Sequence, residues 1–164
     1  MFLPKAFHAI SAYFSRTEPE GEHIVPVVAL TGSAGDRAAL EKIGTRDHLE
    51  LHFADTCGQA WAEVNRLQAR VVLCRHDPER MEWQDLVRIL AMADSHPCVI
   101  LILGTVDGYL LRDVLLREVV ANGGFDVVST PLAEDDTALA IGRALLHWKS
   151  AARGTHRPSI LARV

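Results

Sequence analysis

The chain has 164 residues, of which 49% are apolar, and a formal charge of −4. That length fits one domain plus tails, and the apolar fraction supports a packed core and excludes global disorder. The acidic balance speaks against a nucleic-acid or membrane-surface role, either of which would favour a basic stripe.

Residues 1–22 read as an N-terminal extension. Phe2, Leu3, Phe7, Ile10, Tyr13 and Phe14 fit one helix face, and a breaker stretch with Glu18, Pro19, Glu20 and Gly21 follows. Such a stripe is either a weakly ordered leader or a docking or dimerisation helix that needs a partner. Lys5 and His8 interrupt it and no small-residue cleavage pattern follows, so it is not a secretory signal. The longest aliphatic run, residues 99–103, is far too short to span a bilayer. The expected location is cytoplasmic, with no membrane partner.

The folded part is expected over 23–150. Residues 23–31 (HIVPVVALT) read as a first strand, 32–35 as a turn, and 36–43 as a short helix stopped by Gly44. A second strand covers 49–53. Thr56 and Gln59 match a capping box, with Ala60, Trp61, Val64 and Leu67 on the buried face of the helix that follows. Val71 to Cys74 is a short valine-rich run that reads as a strand buried on both faces, ending at Arg75. It breaks into Arg75, His76, Asp77 and Pro78, and a helix with Trp83, Leu86, Val87 and Leu90 on one face runs to about Met92. A fourth strand covers 97–103. A long helix over 107–121 is ended by Asn122-Gly123-Gly124. Val127 and Val128 lie in a short fifth strand ending at Thr130-Pro131, and a last helix covers 134–150 through Ala138, Ile141, Leu145 and Trp148. Residues 151–164, with Arg153, Arg157 and Arg163, read as a disordered tail.

Strands alternating with helices imply an α/β fold with a parallel sheet and helices on both faces. Right-handed crossovers leave few topologies, and the flavodoxin-like order 2-1-3-4-5 is the common one at this size. In such sheets recognition and chemistry sit at the carboxyl ends of the strands, which is where Arg75, His76 and Asp77 fall. Cys57, Cys74 and Cys98 form no C-x-x-C pair or zinc spacing, and three reduced thiols are expected. No histidine pair has a ligand spacing on a helix.

Three segments, VVLCRHDPERMEW, CVILILGTVD and GGFDVVSTPL, occur in the order and spacing of a known set. They resemble the third strand and acceptor loop, the fourth strand and loop, and the fifth strand and its closing turn of the response regulator receiver domain of bacterial two-component systems. The resemblance covers about residues 24–150.

It implies a site that this sequence alters at every position. The family holds Mg²⁺ with two acidic residues after strand one, hard oxygen ligands that suit the ion. Here Leu30 and Thr31 stand there. The acceptor aspartate ends strand three. Counting back from Met81-Glu82-Trp83, which stands where the family has M-D-G, puts Arg75 at that position; counting from Pro78 puts Cys74 there. The switch Ser/Thr falls on Leu103, and the lysine before the closing proline falls on Thr130, with Pro131 in place. The nearby carboxylate Asp77 matches a place that contributes a backbone carbonyl in the family.

The resemblance therefore implies an atypical, stand-alone receiver in two-component or phosphorelay signalling. It is expected to be independent of phosphorylation, not an enzyme, without Mg²⁺ or another cofactor. Arg75 is expected to pair with Asp77 or Asp107. Output would pass to a protein partner, such as a histidine kinase or another signalling protein, or through a homodimer formed by the face from Tyr109 to Val120. That face carries more apolar residues than one buried stripe can hold. The alternative is a flavodoxin-like cofactor or phosphate binder using the glycine-rich turn from Thr31 to Asp36, although Asp36 at the helix start would repel an anion. A Cys74 nucleophile with His76 as base would need two side chains two apart on a turn to meet.

Overall fold

The computed structural model describes residues 24–77, 83–104 and 108–155, the side chains of 108–111 and 152–155 excepted. The expected N-terminal extension, Pro78, Met81, Glu82, Asp107, and the tail beyond Thr155 lie outside the described residues, as do the side chains of Tyr109, Leu110 and Leu111. The elements run β1 (Val25–Leu30), α1 (Ala34–Asp47), β2 (Leu49–Ala54), α2 (Cys57–Leu67), β3 (Val71–Arg75), α3 (Trp83–Leu90), β4 (Cys98–Leu103), α4 (Gly108–Ala121), β5 (Asp126–Ser129) and α5 (Glu134–Thr155).

All strand pairs are parallel, and the sheet order is β2-β1-β3-β4-β5, as the alternation implied. Strand alternation divides the core. Val27, Ala29, Val71, Leu73, Ile100 and Ile102 meet Leu40 and Ile43 of α1 and Ala138, Ile141 and Leu145 of α5. Val28, Val72, Cys74, Val99, Leu101 and Leu103 point the other way, onto Val64 of α2, Leu86 and Leu90 of α3 and Val119 of α4. Two helices therefore cover one face and three the other. Because β4 is buried at all six positions, it reads as an unbroken apolar run. Each fully buried Leu or Ile in these layers contributes about 1.5–3 kcal/mol.

Local signals set most boundaries. Ser33 caps α1, its hydroxyl accepting from the Asp36 N–H at 3.3 Å. Thr56 caps α2 by accepting from the Gln59 N–H at 3.2 Å. The Gln59 side chain reaches back one residue further than a strict capping box, accepting from the Asp55 N–H at 2.8 Å.

Two boundaries differ from expectation. Gly44 does not stop α1, which begins at Ala34 and continues to Asp47. The glycine serves a close approach instead: a Cβ there would lie 2.5 Å from Leu51 Cδ2 and 2.9 Å from the Leu49 carbonyl oxygen. The helix ends at His48, in the left-handed region at φ 57°. At the other end of the chain, α5 passes Ser150 and runs to Thr155. Trp148 is only partly buried there; its indole N–H donates to the Ser95 carbonyl at 2.5 Å, and the Arg70 guanidinium lies 4.2 Å from its ring centroid.

Candidate functional site at the carboxyl edge of the sheet

Register brings the site together. Leu30 pairs with Ala54 on one side and with Cys74 on the other. Thr31, Asp55 and Arg75, each one residue further on, therefore share one level at the carboxyl edge. They line an open cleft of about 610 Å³ together with Leu30, Gly32, Thr56, Cys57 and Asp77.

The centre of this edge is an ion pair that the sequence reading did not name. Arg75 Nη1 lies 2.5 Å from Asp36 Oδ2. The same oxygen accepts from the Thr31 hydroxyl at 2.9 Å, and Thr31 Oγ1 in turn accepts from the Ser33 N–H at 3.1 Å. Asp36 is 3% exposed and Thr31 is also 3% exposed. Burying a carboxylate is costly unless it is paired and hydrogen-bonded, and here it has both. The expected partner of Arg75 was Asp77 or Asp107, and Asp107 lies outside the described residues. Asp36 is a partner not expected, brought there because the first turn of α1 lies across the end of β3. A signal for it was present: Ser33-Ala34-Gly35-Asp36 places an acid at the third helical position after a serine cap, tied to the turn below.

A second pair flanks the first. Arg37 Nη2 lies 2.6 Å from Asp55 Oδ1, its Nε donates to the Thr31 carbonyl at 3.1 Å, and its guanidinium carbon sits 5.1 Å from the Phe53 ring centroid. Arg37 and Asp55 were likewise not singled out from sequence, since nothing in their spacing announces a contact across eighteen residues.

The remaining sequence candidates separate. Cys74 is fully buried in the core, and burial pushes its thiol up to about 12 from an ordinary 9.0. A neutral, enclosed thiol is neither an acceptor nor a nucleophile near neutral pH. Leu103 is 2% exposed and its side chain belongs to the core. Its carbonyl accepts twice from Thr130, from the N–H at 2.8 Å and from the hydroxyl at 3.0 Å. Thr130 thus ties β5 to the end of β4, and the Thr130-Pro131 peptide is cis. In the glycine-rich turn Thr31, Ser33 and Asp36 bond to one another. Cys57, Cys74 and Cys98 are all free thiols.

No protein-family model and no curated protein matches the sequence. Solved structures do match. A response regulator receiver domain protein from Clostridium thermocellum superposes with a TM-score of 0.64 at 16% identity, covering 77% of this chain and 98% of that one. The signal receiver domain of an HD domain-containing protein from Pseudomonas fluorescens gives 0.66 at 16%, covering 84% and 98%. A response regulator receiver domain protein from Methanospirillum hungatei gives 0.64 at 15%, covering 79% and 99%. This chain has the receiver fold.

Likeness at such identity carries the fold and not the activity. A receiver fold with a working site would hold a divalent cation at this edge. The residues present do not fit one. Leu30 offers no side-chain oxygen, and Thr31 and Asp36 are joined to each other. Two carboxylates at this edge already face guanidiniums, Asp36 that of Arg75 and Asp55 that of Arg37. Among the described residues, no group of three or more His, Cys, Asp or Glu side chains is arranged to hold a metal ion. No helix among them is long and apolar enough to cross a membrane.

Proposed function

We propose that this receiver-fold chain is a signalling module that acts by protein contact and does not depend on phosphorylation. The observation that carries the reading is the Arg75–Asp36–Thr31 cluster. Phosphoryl transfer to a receiver relies on positioning and on electrostatic stabilisation by a metal and a cation. Here Arg75 stands at the end of β3, in the acceptor place, and its charge is fixed near neutral pH. Leu30 and Thr31 replace the acidic pair, Leu103 the switch residue, and Thr130, ahead of Pro131, the lysine. On this reading the module is not an enzyme, takes no Mg²⁺ and works in the cytoplasm. Its output goes to a protein partner of the two-component type, such as a histidine kinase, or to a second copy of itself through α4.

The test is to incubate the protein with Mg²⁺ and acetyl phosphate and weigh the intact chain. The expected result is no phosphoryl adduct on the wild type or on Arg75→Asp, since Leu30 and Thr31 still supply no carboxylate and Thr130 no cation. An adduct on the wild type would overturn the reading. An adduct on Arg75→Asp alone would show that the acceptor is the one missing part.

A further inference from the structure

A second cavity, of about 420 Å³, opens at the opposite edge of the sheet, between the loops that enter β4 and β5 and the last turns of α5. Its size falls in the range of small-molecule sites, which are typically apolar and aromatic with a few fixed polar points. We infer that it binds a neutral, planar aromatic molecule with one hydrogen-bonding edge.

Three observations point to that class. The first is the wall. Phe125 and His147 stand as a tilted ring pair, centroids 5.2 Å apart at 42°, beside the indole of Trp148. Trp148 is held at both ends of its chemistry: its N–H is committed to the Ser95 carbonyl, and Arg70 lies against its ring. A fixed aromatic wall favours offset or edge-to-face packing with another ring. Gly123 and Gly124 add only backbone to this wall.

The second is the polar point. Ser95 lines the cavity, is 7% exposed, and its hydroxyl has no hydrogen-bond partner among the described residues. Buried hydroxyls nearly always have one. A rotation about its side-chain bond would offer it to a ligand's polar edge as donor or acceptor.

The third is charge. Among the described residues no lysine or arginine lines the cavity, and Asp94, at the exposed rim, is its one acid. Its side chains that titrate near neutral pH are His96 and His147, so an anion would find no permanent counter-charge. A cation would meet an indole already in contact with the Arg70 guanidinium. A neutral ring avoids both penalties.

The experiment is a titration of the full chain with benzimidazole at neutral pH, followed by amide and indole N–H correlation spectra. Benzoate and phenyltrimethylammonium serve as the charged probes. The expected result is a saturable shift of the Ser95, Gly124 and Phe125 amides and the Trp148 indole, with a Kd below about 5 mM and charged probes weaker by about tenfold or more. Ala151→Trp, which fills the mouth from an exposed helix position, should abolish the shifts, and Ser95→Ala should weaken them by about threefold. The same spectra report whether each variant is folded. Shifts that never saturate, that survive Ala151→Trp, that are unaffected by Ser95→Ala, or that a charged probe matches in affinity would overturn the inference.

Discussion

Arg75 and Asp36 come from elements thirty-nine residues apart, yet their side chains meet at 2.5 Å over the end of β3. Asp36 is enclosed while the Arg75 side chain is 31% exposed. The burden of burial therefore falls on the carboxylate. Removing the arginine should cost more than removing a surface ion, because it leaves a buried charge with only the Thr31 hydroxyl. Urea denaturation of Arg75→Ala should show a loss of about 1–3 kcal/mol. The Arg75→Ala and Asp36→Ala double-mutant cycle should give a coupling of at least about 0.5 kcal/mol. Additive single losses would mean that the pair holds nothing together.

Gly44→Ala tests a reversed sign. In an exposed helix interior this change would stabilise by roughly 1 kcal/mol. At position 44 the new methyl would collide with the Leu49 carbonyl oxygen, which is backbone and cannot swing away, and with Leu51. The expected outcome is destabilisation of about 1–3 kcal/mol, read as a lower urea midpoint at unchanged slope. A raised midpoint would show that α1 and β2 can part without cost.

Cys74 predicts an alkaline loss of stability. Its folded value of about 12 lies above the ordinary 9.0, through burial. The folded chain therefore keeps a proton that the unfolded chain releases. The contribution is complete below pH 9 and is lost as pH rises from there towards 12, with a slope of up to about 1.4 kcal/mol per pH unit. Cys74→Ala should be less stable overall but should show a shallower decline above pH 9. Equal slopes in the two proteins would refute the assignment. Near neutral pH, a thiol reagent should label Cys57, which is partly exposed, much faster than the buried Cys74 and Cys98.

The face of α4 bears on self-association. Leu115 and Val119 are buried, while Val114 and Val120, on either flank of that stripe, are 53% and 56% exposed. Apolar side chains left in this position favour a second copy of the chain. Sedimentation should find a dimer at roughly 100 µM, and Val114→Lys with Val120→Lys should return it to monomer. A wild-type monomer at that concentration would remove the homodimer from the proposal.

The parts that could be read from sequence are those governed by local period. The run Val71 to Cys74 and the run Val99 to Leu103 announced central strands because both faces of each are buried, and the sheet order followed from their alternation with helices. Gly44 was misread because a glycine needed for close packing looks the same in sequence as one that ends a helix. The ion pair was missed for a related reason. Asp36 was recognised at a helix start and read only as a charge that would repel an anion, and the pairing of β1 with β3 is what brings Arg75 up to its carboxylate. Long-range electrostatic contacts leave no periodic trace in a chain.

His48 and Gln68 end α1 and α2 in the left-handed region, at φ 57° and 51°, where a side chain costs about 1–2 kcal/mol that glycine avoids. Both turns lead into the amino ends of strands, on the side of the sheet away from Arg75. They are handles for engineering. His48→Gly and Gln68→Gly should each raise the melting temperature by several degrees, supplying reserve against which damaging substitutions at the cleft could be studied in folded protein.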